Sequence, residues 1–504
     1  EGQRGGGGGP QKRGGGGAAG PRPDSHISAR FSLRPGAASC PTGRMTPIFR
    51  LHDSPDGSSA VTLLRSVAPI QWFSGAAEVI VACLFVTCTF VTVAQPVFDN
   101  GACQLMLPLF AGAALVLEAL CIVRDVRGVP SPREWSRSLT IVTCSFVALL
   151  VWAAVSIPFH EHLIYDDSMG VTRDLPLYAL VMPLAEAMVT LLVAIFACRM
   201  IAVGNLEGAL WRLSMLMAIA NPIDLVREYV EGNTTGWRVA TRLGGAAICH
   251  VLLILALAVA VNAVIRHRHR ILSSVAAVSH LACLAASGSR AGTISLALFV
   301  IGLVFFGRSY RTRSRKQRIV IAVLGIVASG VAIWLVTTVR SGSLVDPARA
   351  RTWALAGRVV VDSPSHFLVG TGYGTIWPWF AVESTFMPES SHGMRRTLYG
   401  YSLPHAHSLI VQVVGELGVI GLALILVCLG TVIAVCVKGI RGGYPLLSLG
   451  VLATMPAFLM DTYLIKNFPV ALFWWIFTLA LCRLVTTGDA DVEGGSGYRE
   501  EKYA

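Results

Sequence analysis

The sequence predicts an all-α polytopic membrane protein of twelve transmembrane helices, with one large loop between the ninth and tenth. Three observations carry this. Of 504 residues, 54% are hydrophobic and only 14% charged. Apolar runs of about 20 residues, the length that spans a bilayer, recur along most of the chain. Between them lie short loops rich in Lys and Arg, which fall on one side when twelve spans are threaded.

Residues 1–44 are rich in Gly, Pro and Arg and lack hydrophobic periodicity, so they read as a disordered tail or an extended gene model, with Met45 opening more ordinary sequence. The first long apolar run starts near Ala76, and nothing before it resembles a cleavable secretory signal. Spans are then predicted at 76–95, 102–123, 139–157, 175–198, 209–226, 243–265, 271–287, 291–307, 319–339, 417–437, 445–463 and 468–483. The fifth is short, polar and interrupted by Pro222. Segment 45–339 therefore holds helices one to nine, 340–407 the large loop, 408–483 helices ten to twelve, and 484–504 a tail.

Orientation comes from the basic loops RDVRGVPSPREWSR, RHRHR, RSYRTRSRKQR and KGIRGG, which share the side expected to be cytoplasmic. Both termini fall on that side. The net charge of +12 is thus a topology signal and does not call for nucleic acid as a partner. Eleven of the twelve Cys lie in or beside apolar segments, against a disulfide framework or a Cys zinc site.

The opposite side receives the acidic HEHLIYDDSMGVTRD loop, the EYVEGNTTGWRVATR loop, the short SGSRAG turn and the large loop. From Arg340 to His407 the large loop carries six Arg, no Lys and four acids, an excess of positive charge that runs against the usual bias. Such arginines suit an anionic ligand, and pairing with local acids or lipid headgroups is the plainer alternative. Guanidinium is permanently charged and forks onto two oxygens, so Arg290 in the SGSRAG turn and Arg351 in RARTWALAG are candidates for gripping a phosphate or pyrophosphate. Arg340, Arg238 and Arg242 are further candidates on the same side. Arg351 and Leu355, four apart, are expected to share a helix face, with the Leu on the membrane surface. Tyr373, Trp377 and Trp379 read as an interfacial aromatic belt or a sugar-stacking platform.

His407 stands where the chain re-enters the membrane, followed by Ser408, nine residues, and Gly418-x-x-Gly421, a spacing that ties it to a close Gly-mediated contact. An imidazole there can take a proton from a sugar hydroxyl, or serve structurally by donating to a backbone carbonyl. His405 lies beside it. A metal set built from His405, His407, His392 and His366 has no acid or Cys to complete it. The ionisable groups near the spans, Glu118, Glu186, Asp461 and His280, are scattered, and no internal repeat of the transporter kind is present.

The SRAG turn, the Arg351–Trp353–Ala356 opening of the large loop, the segment Asp362 to Gly374 and the His407 to Gly421 motif together resemble the O-antigen ligase and polymerase superfamily of bacterial envelope enzymes, over roughly Arg238 to Leu426. The chain departs from that pattern at Ser408, where the family often has Asn, and around Trp237 to Gly245. The resemblance implies a multi-pass protein of the bacterial cytoplasmic membrane with its active site on the extracytoplasmic side. It implies a metal-independent, cofactor-free, inverting glycosyltransferase whose donor is a glycan on undecaprenyl pyrophosphate and whose acceptor is a glycan, lipid or protein hydroxyl. In that scheme His407 activates or orients the acceptor hydroxyl while Arg290 and Arg351 hold the pyrophosphate. A protein O-oligosaccharyltransferase is the alternative within the class. A lipid-linked oligosaccharide flippase, or another transporter, is the alternative outside it.

Overall fold

The computed structural model describes residues 58–90, 100–127, 136–166, 171–234, 238–306, 347–380 and 395–493. Its helices are α1 (Ser58–Phe90), α2 (Asn100–Val126), α3 (Arg137–Ser156), α4 (Leu177–Met200), α5 (Val203–Val230), α6 (Gly245–Ile265), α7 (Arg270–Ser287), α8 (Arg290–Phe306), α9 (Pro347–Asp362), α10 (Pro364–Val369), α11 (Leu409–Arg441), α12 (Pro445–Thr454), α13 (Tyr463–Lys466) and α14 (Phe468–Glu493). Among the described residues nine helices are long and apolar enough to cross a membrane, and two shorter apolar helices, Arg290–Phe306 and Pro445–Leu459, accompany them. The chain is a largely helical, membrane-embedded protein. The span expected at 319–339 lies outside the described residues.

Two helices differ instructively from their apolar runs. α5 continues through Pro222 over 28 residues. Proline removes one backbone donor, and the Ala218 carbonyl four residues back is met instead by the Ser279 hydroxyl of α7 at 2.7 Å. α11 begins at Leu409 rather than near 417, because Gln412 and Glu416 dilute the hydropathy of its first turns while both are buried.

α11 is also broken. At Gly418 the backbone turns to φ 65°, ψ −162° inside the helix, which interrupts its hydrogen-bond ladder. The carbonyls around the break find partners elsewhere: Gly415 O accepts from Thr371 N at 3.2 Å and Glu416 O from Gly372 N at 2.9 Å. Leu417 O accepts from the Trp152 indole of α3 at 3.1 Å. Discontinuous helices survive at membrane depth only when other protein groups supply such partners. A Cβ on Gly418 would stand 2.5 Å from Leu368 O, so glycine is what lets the α10 exit loop lie against the break.

A feature unforeseen from the spans is a four-stranded antiparallel sheet of order β2-β1-β3-β4, from β1 (Leu163–Asp166), β2 (Val171–Asp174), β3 (Arg395–Thr397) and β4 (Gly400–Ser402). Pairing of Ile164 with Thr397 and Tyr165 with Arg396 ties the loop after α3 to the returning leg of the large loop. α9 then packs through Leu355, Ala356 and Val359 onto Ile376, Trp377 and Ala406. Sheet and cluster together fix where the chain re-enters α11.

Candidate active site

The site is built by the turn that starts α11. Ser408 is extended and its hydroxyl accepts from Val411 N at 3.3 Å, a helix cap, while Leu409 N donates to Asp461 O at 3.1 Å. His407, one residue earlier, takes a left-handed backbone with φ 51°. For a side chain other than glycine that conformation costs about 1–3 kcal/mol and persists only where the surroundings enforce it. They do so here. The Trp353 indole donates to Ala406 O at 2.7 Å, and Leu403 N donates to the Thr352 hydroxyl at 3.2 Å, so α9 clamps the residues on both sides of His405.

His407 Nδ1 lies 2.9 Å from His405 Nε2, with the ring centroids 3.7 Å apart. His405 Nδ1 lies in turn 2.9 Å from Lys466 Nζ, at the end of α13. Lys466 also sits 5.7 Å over the Trp379 ring. Burial holds the His405 imidazole well below its ordinary pKa range, with Lys466 and then Arg349 adding to the effect. His407 is depressed likewise by burial, then by His405, Arg349 and Lys466. Both rings are therefore neutral, and two cations face them.

The predicted arginines fall in distinct settings. Arg238 Nε donates to Ser287 O at 3.0 Å and Val239 N to Ala286 O at 3.1 Å, which joins Arg238 to the turn that carries Arg290. Arg290 is half-buried at the first residue of α8, whose start is capped by the Ser289 hydroxyl accepting from Gly292 N at 3.1 Å. α8 packs on the turn Met455–Leu459, which together with Asp461 supports Ser408 and Leu409, so this turn links the Arg238–Arg290 corner with the start of α11. Arg242 is taken up by ion pairs with Glu228 and Glu231. Arg351 is exposed, whereas Arg349, roughly 200° around the same helix, acts on both imidazoles. Leu355 is not at a membrane surface: it is 4% exposed, in the cluster around Trp377. Arg340 and His392 lie outside the described residues.

A scan against protein-family models returns no match, and a search of curated proteins returns no significant one.

Tyr373, Trp377 and Trp379 are all buried, so they form neither an exposed belt nor an open stacking platform. They belong to a folded plug. Tyr373 N donates to the Ser156 hydroxyl at 3.0 Å, and its carbonyl accepts from His162 Nε2 at 2.9 Å. The Glu416 carboxylate accepts from Trp377 N at 2.8 Å and Ile376 N at 3.2 Å, which anchors the plug to α11 just above its break. His366 Nδ1 lies 3.2 Å from Val359 O, away from the His pair's hydrogen bonds. Among the described residues no three His, Cys, Asp or Glu side chains are placed to share a metal ion.

Lys466, Arg349 and Glu416 were missing from the predicted site. Lys466 did leave a signal, as a single cation between the last two apolar runs on the side away from the basic loops. Arg349 differs from Arg351 only in helix phase.

Proposed function

We propose that this chain is a twelve-span glycosyltransferase of the cytoplasmic membrane, related to the O-antigen ligases and polymerases, with both termini cytoplasmic. It transfers a glycan on the extracytoplasmic side from undecaprenyl pyrophosphate to a hydroxyl of a glycan, lipid or protein. The observation that carries this reading is the His407–His405–Lys466 chain beside Arg349, held at the mouth of a broken membrane helix. Neutral imidazoles among fixed cations suit a substrate that brings its own negative charge, and a glycosyl pyrophosphate gains more as its bond breaks.

In the reaction the acceptor oxygen attacks the anomeric carbon opposite the pyrophosphate. The bond from that carbon to the phosphate oxygen breaks, its electron pair leaves on the pyrophosphate, and the anomeric configuration inverts. Arg349 and the Arg238–Arg290 corner supply the charge that receives the leaving group, and Arg351 stands at the entrance.

A transporter of the same lipid needs unpaired cations along a cavity within the spans. A cavity of about 440 Å³ does lie between α1, α5 and α14. Its arginine, Arg212, is paired with Glu78 at 2.6 Å, so this cavity does not favour transport.

The product tests the subclass. Incubation with an undecaprenyl-pyrophosphate-linked glycan and a candidate acceptor, followed by mass and linkage analysis, gives a ladder for a polymerase and a single conjugate for a ligase. Retention of the anomeric configuration would overturn the direct displacement.

A further inference from the structure

We infer that Lys466 and His405 act as positioning residues that present His407 to the substrate as an N–H donor, so that His407 grips an oxyanion of the pyrophosphate instead of taking the hydroxyl proton. The inference rests on the glycosyl-transfer reading and specifies which atom of the site does what.

The argument is one of hydrogen-bond direction. A lysine ammonium has three donors and no acceptor. At 2.9 Å from His405 Nδ1, Lys466 therefore donates, and that nitrogen must carry the lone pair. A neutral imidazole has one N–H, so the His405 proton is on Nε2, which lies 2.9 Å from His407 Nδ1 and donates to it. The His407 proton then belongs on Nε2, the nitrogen not used within the chain. Each link fixes the next, and the ammonium fixes the first.

The surroundings point the same way. Arg349 and Lys466 act on the pair from α9 and α13. A histidine meant to work as a base commonly has an acid behind it to hold the imidazolium that forms. Here a cation stands in that place. An imidazole N–H among cations is instead suited to a developing oxyanion. The left-handed backbone of His407 and the Trp353 bond to Ala406 O hold the ring in this pose. In the transfer, the acceptor oxygen forms its bond to the anomeric carbon and gives its proton to water, while the pair from the broken bond stays on the pyrophosphate facing His407.

Side-chain replacements separate donor from base. His407→Gln keeps an N–H₂ near the Nε2 position and cannot act as a base. The inference expects turnover within about tenfold of wild type for His407→Gln, against a loss of about 10²–10³ for His407→Ala. Equal loss in the two, with both proteins folded by thermal unfolding, overturns it. For the positioning residues, the probe is inorganic pyrophosphate titrated calorimetrically onto the full-length protein in detergent. Lys466→Met should weaken binding about tenfold or more, and Lys466→Arg, which still can only donate, should restore most of it. Unchanged pyrophosphate affinity in Lys466→Met overturns the inference. A wild-type protein that binds pyrophosphate in this Lys466-dependent way, yet never consumes a lipid-linked glycan, keeps the oxyanion site and removes the glycosyl-transfer reading. Full turnover combined with equal loss in His407→Gln and His407→Ala does the reverse.

Discussion

Replacing Gly418 by Ala should unfold the junction between α10 and α11, and the structure gives the size of the effect. The residue sits at φ 65°, ψ −162°, a region that L side chains rarely enter, at about 1–3 kcal/mol. The added Cβ would stand 2.5 Å from Leu368 O and 2.6 Å from Gly370 N. Both are backbone atoms, so no side chain can rotate away, and the exit loop of α10 must move. Moving it lengthens the bonds from Thr371 N to Gly415 O and from Gly372 N to Glu416 O. Each is worth about 0.5–1.5 kcal/mol net, so the total loss is roughly 2–6 kcal/mol. Gly430 is the internal control. It lies in the same helix, and a Cβ there meets nothing within 4 Å. Gly430→Ala should leave stability unchanged or raise it by about 0.5–1 kcal/mol. The assay is thermal unfolding of the two purified variants in the same detergent, followed by thiol exposure of the buried cysteines. Equal transition temperatures for Gly418→Ala and Gly430→Ala would refute the broken-helix account.

Three further expectations follow from the site. Trp353→Phe keeps the ring but leaves the buried Ala406 carbonyl without its donor, at about 1–3 kcal/mol, and should lower activity more than stability because the His405–His407 turn loosens; unchanged turnover contradicts the clamp. Since His405 and His407 are depressed in the folded protein, the unfolded chain binds more protons once pH falls below about 6.5. Stability should therefore be full above that value and decline below it, the decline shrinking in a His405→Asn/His407→Asn double variant; a flat profile in wild type argues against neutral buried rings. Arg242→Ala should lower the unfolding temperature by stranding the buried Glu228, whereas Arg351→Ala should leave it in place and act only on donor affinity. The reverse pattern would exchange their assigned roles.

Apolar run length was enough to read most membrane helices, because a bilayer imposes one length on every span. It was not enough at α11, where Gln412 and Glu416 mask a helix start that Ser408 caps. The spacing from His407 to Gly418 did mark a close backbone approach. The partner, however, is the last turn and exit of the short α10 at Leu368–Gly370 and not a second membrane-spanning helix, which no periodicity in α11 encodes. The sheet escaped notice because its strands are three or four residues long and their pairing joins Ile164 to Thr397, far apart in the chain. Lys466 escaped for the same reason, since a hydrogen bond to His405 depends on how α13 folds back. The tryptophans of the Gly-rich segment look interfacial by composition, yet lie buried because the Glu416 carboxylate turns their backbone inward.

The central claim is that His407 serves a transfer reaction on a lipid-linked glycan. The most direct measurement follows consumption of an undecaprenyl-pyrophosphate-linked glycan by the purified protein in detergent, with a matching acceptor and a chelator present, beside His407→Ala. The account predicts loss of the donor, with release of undecaprenyl pyrophosphate, by wild type alone. Intact donor in both samples, with donor binding verified in each, would contradict it.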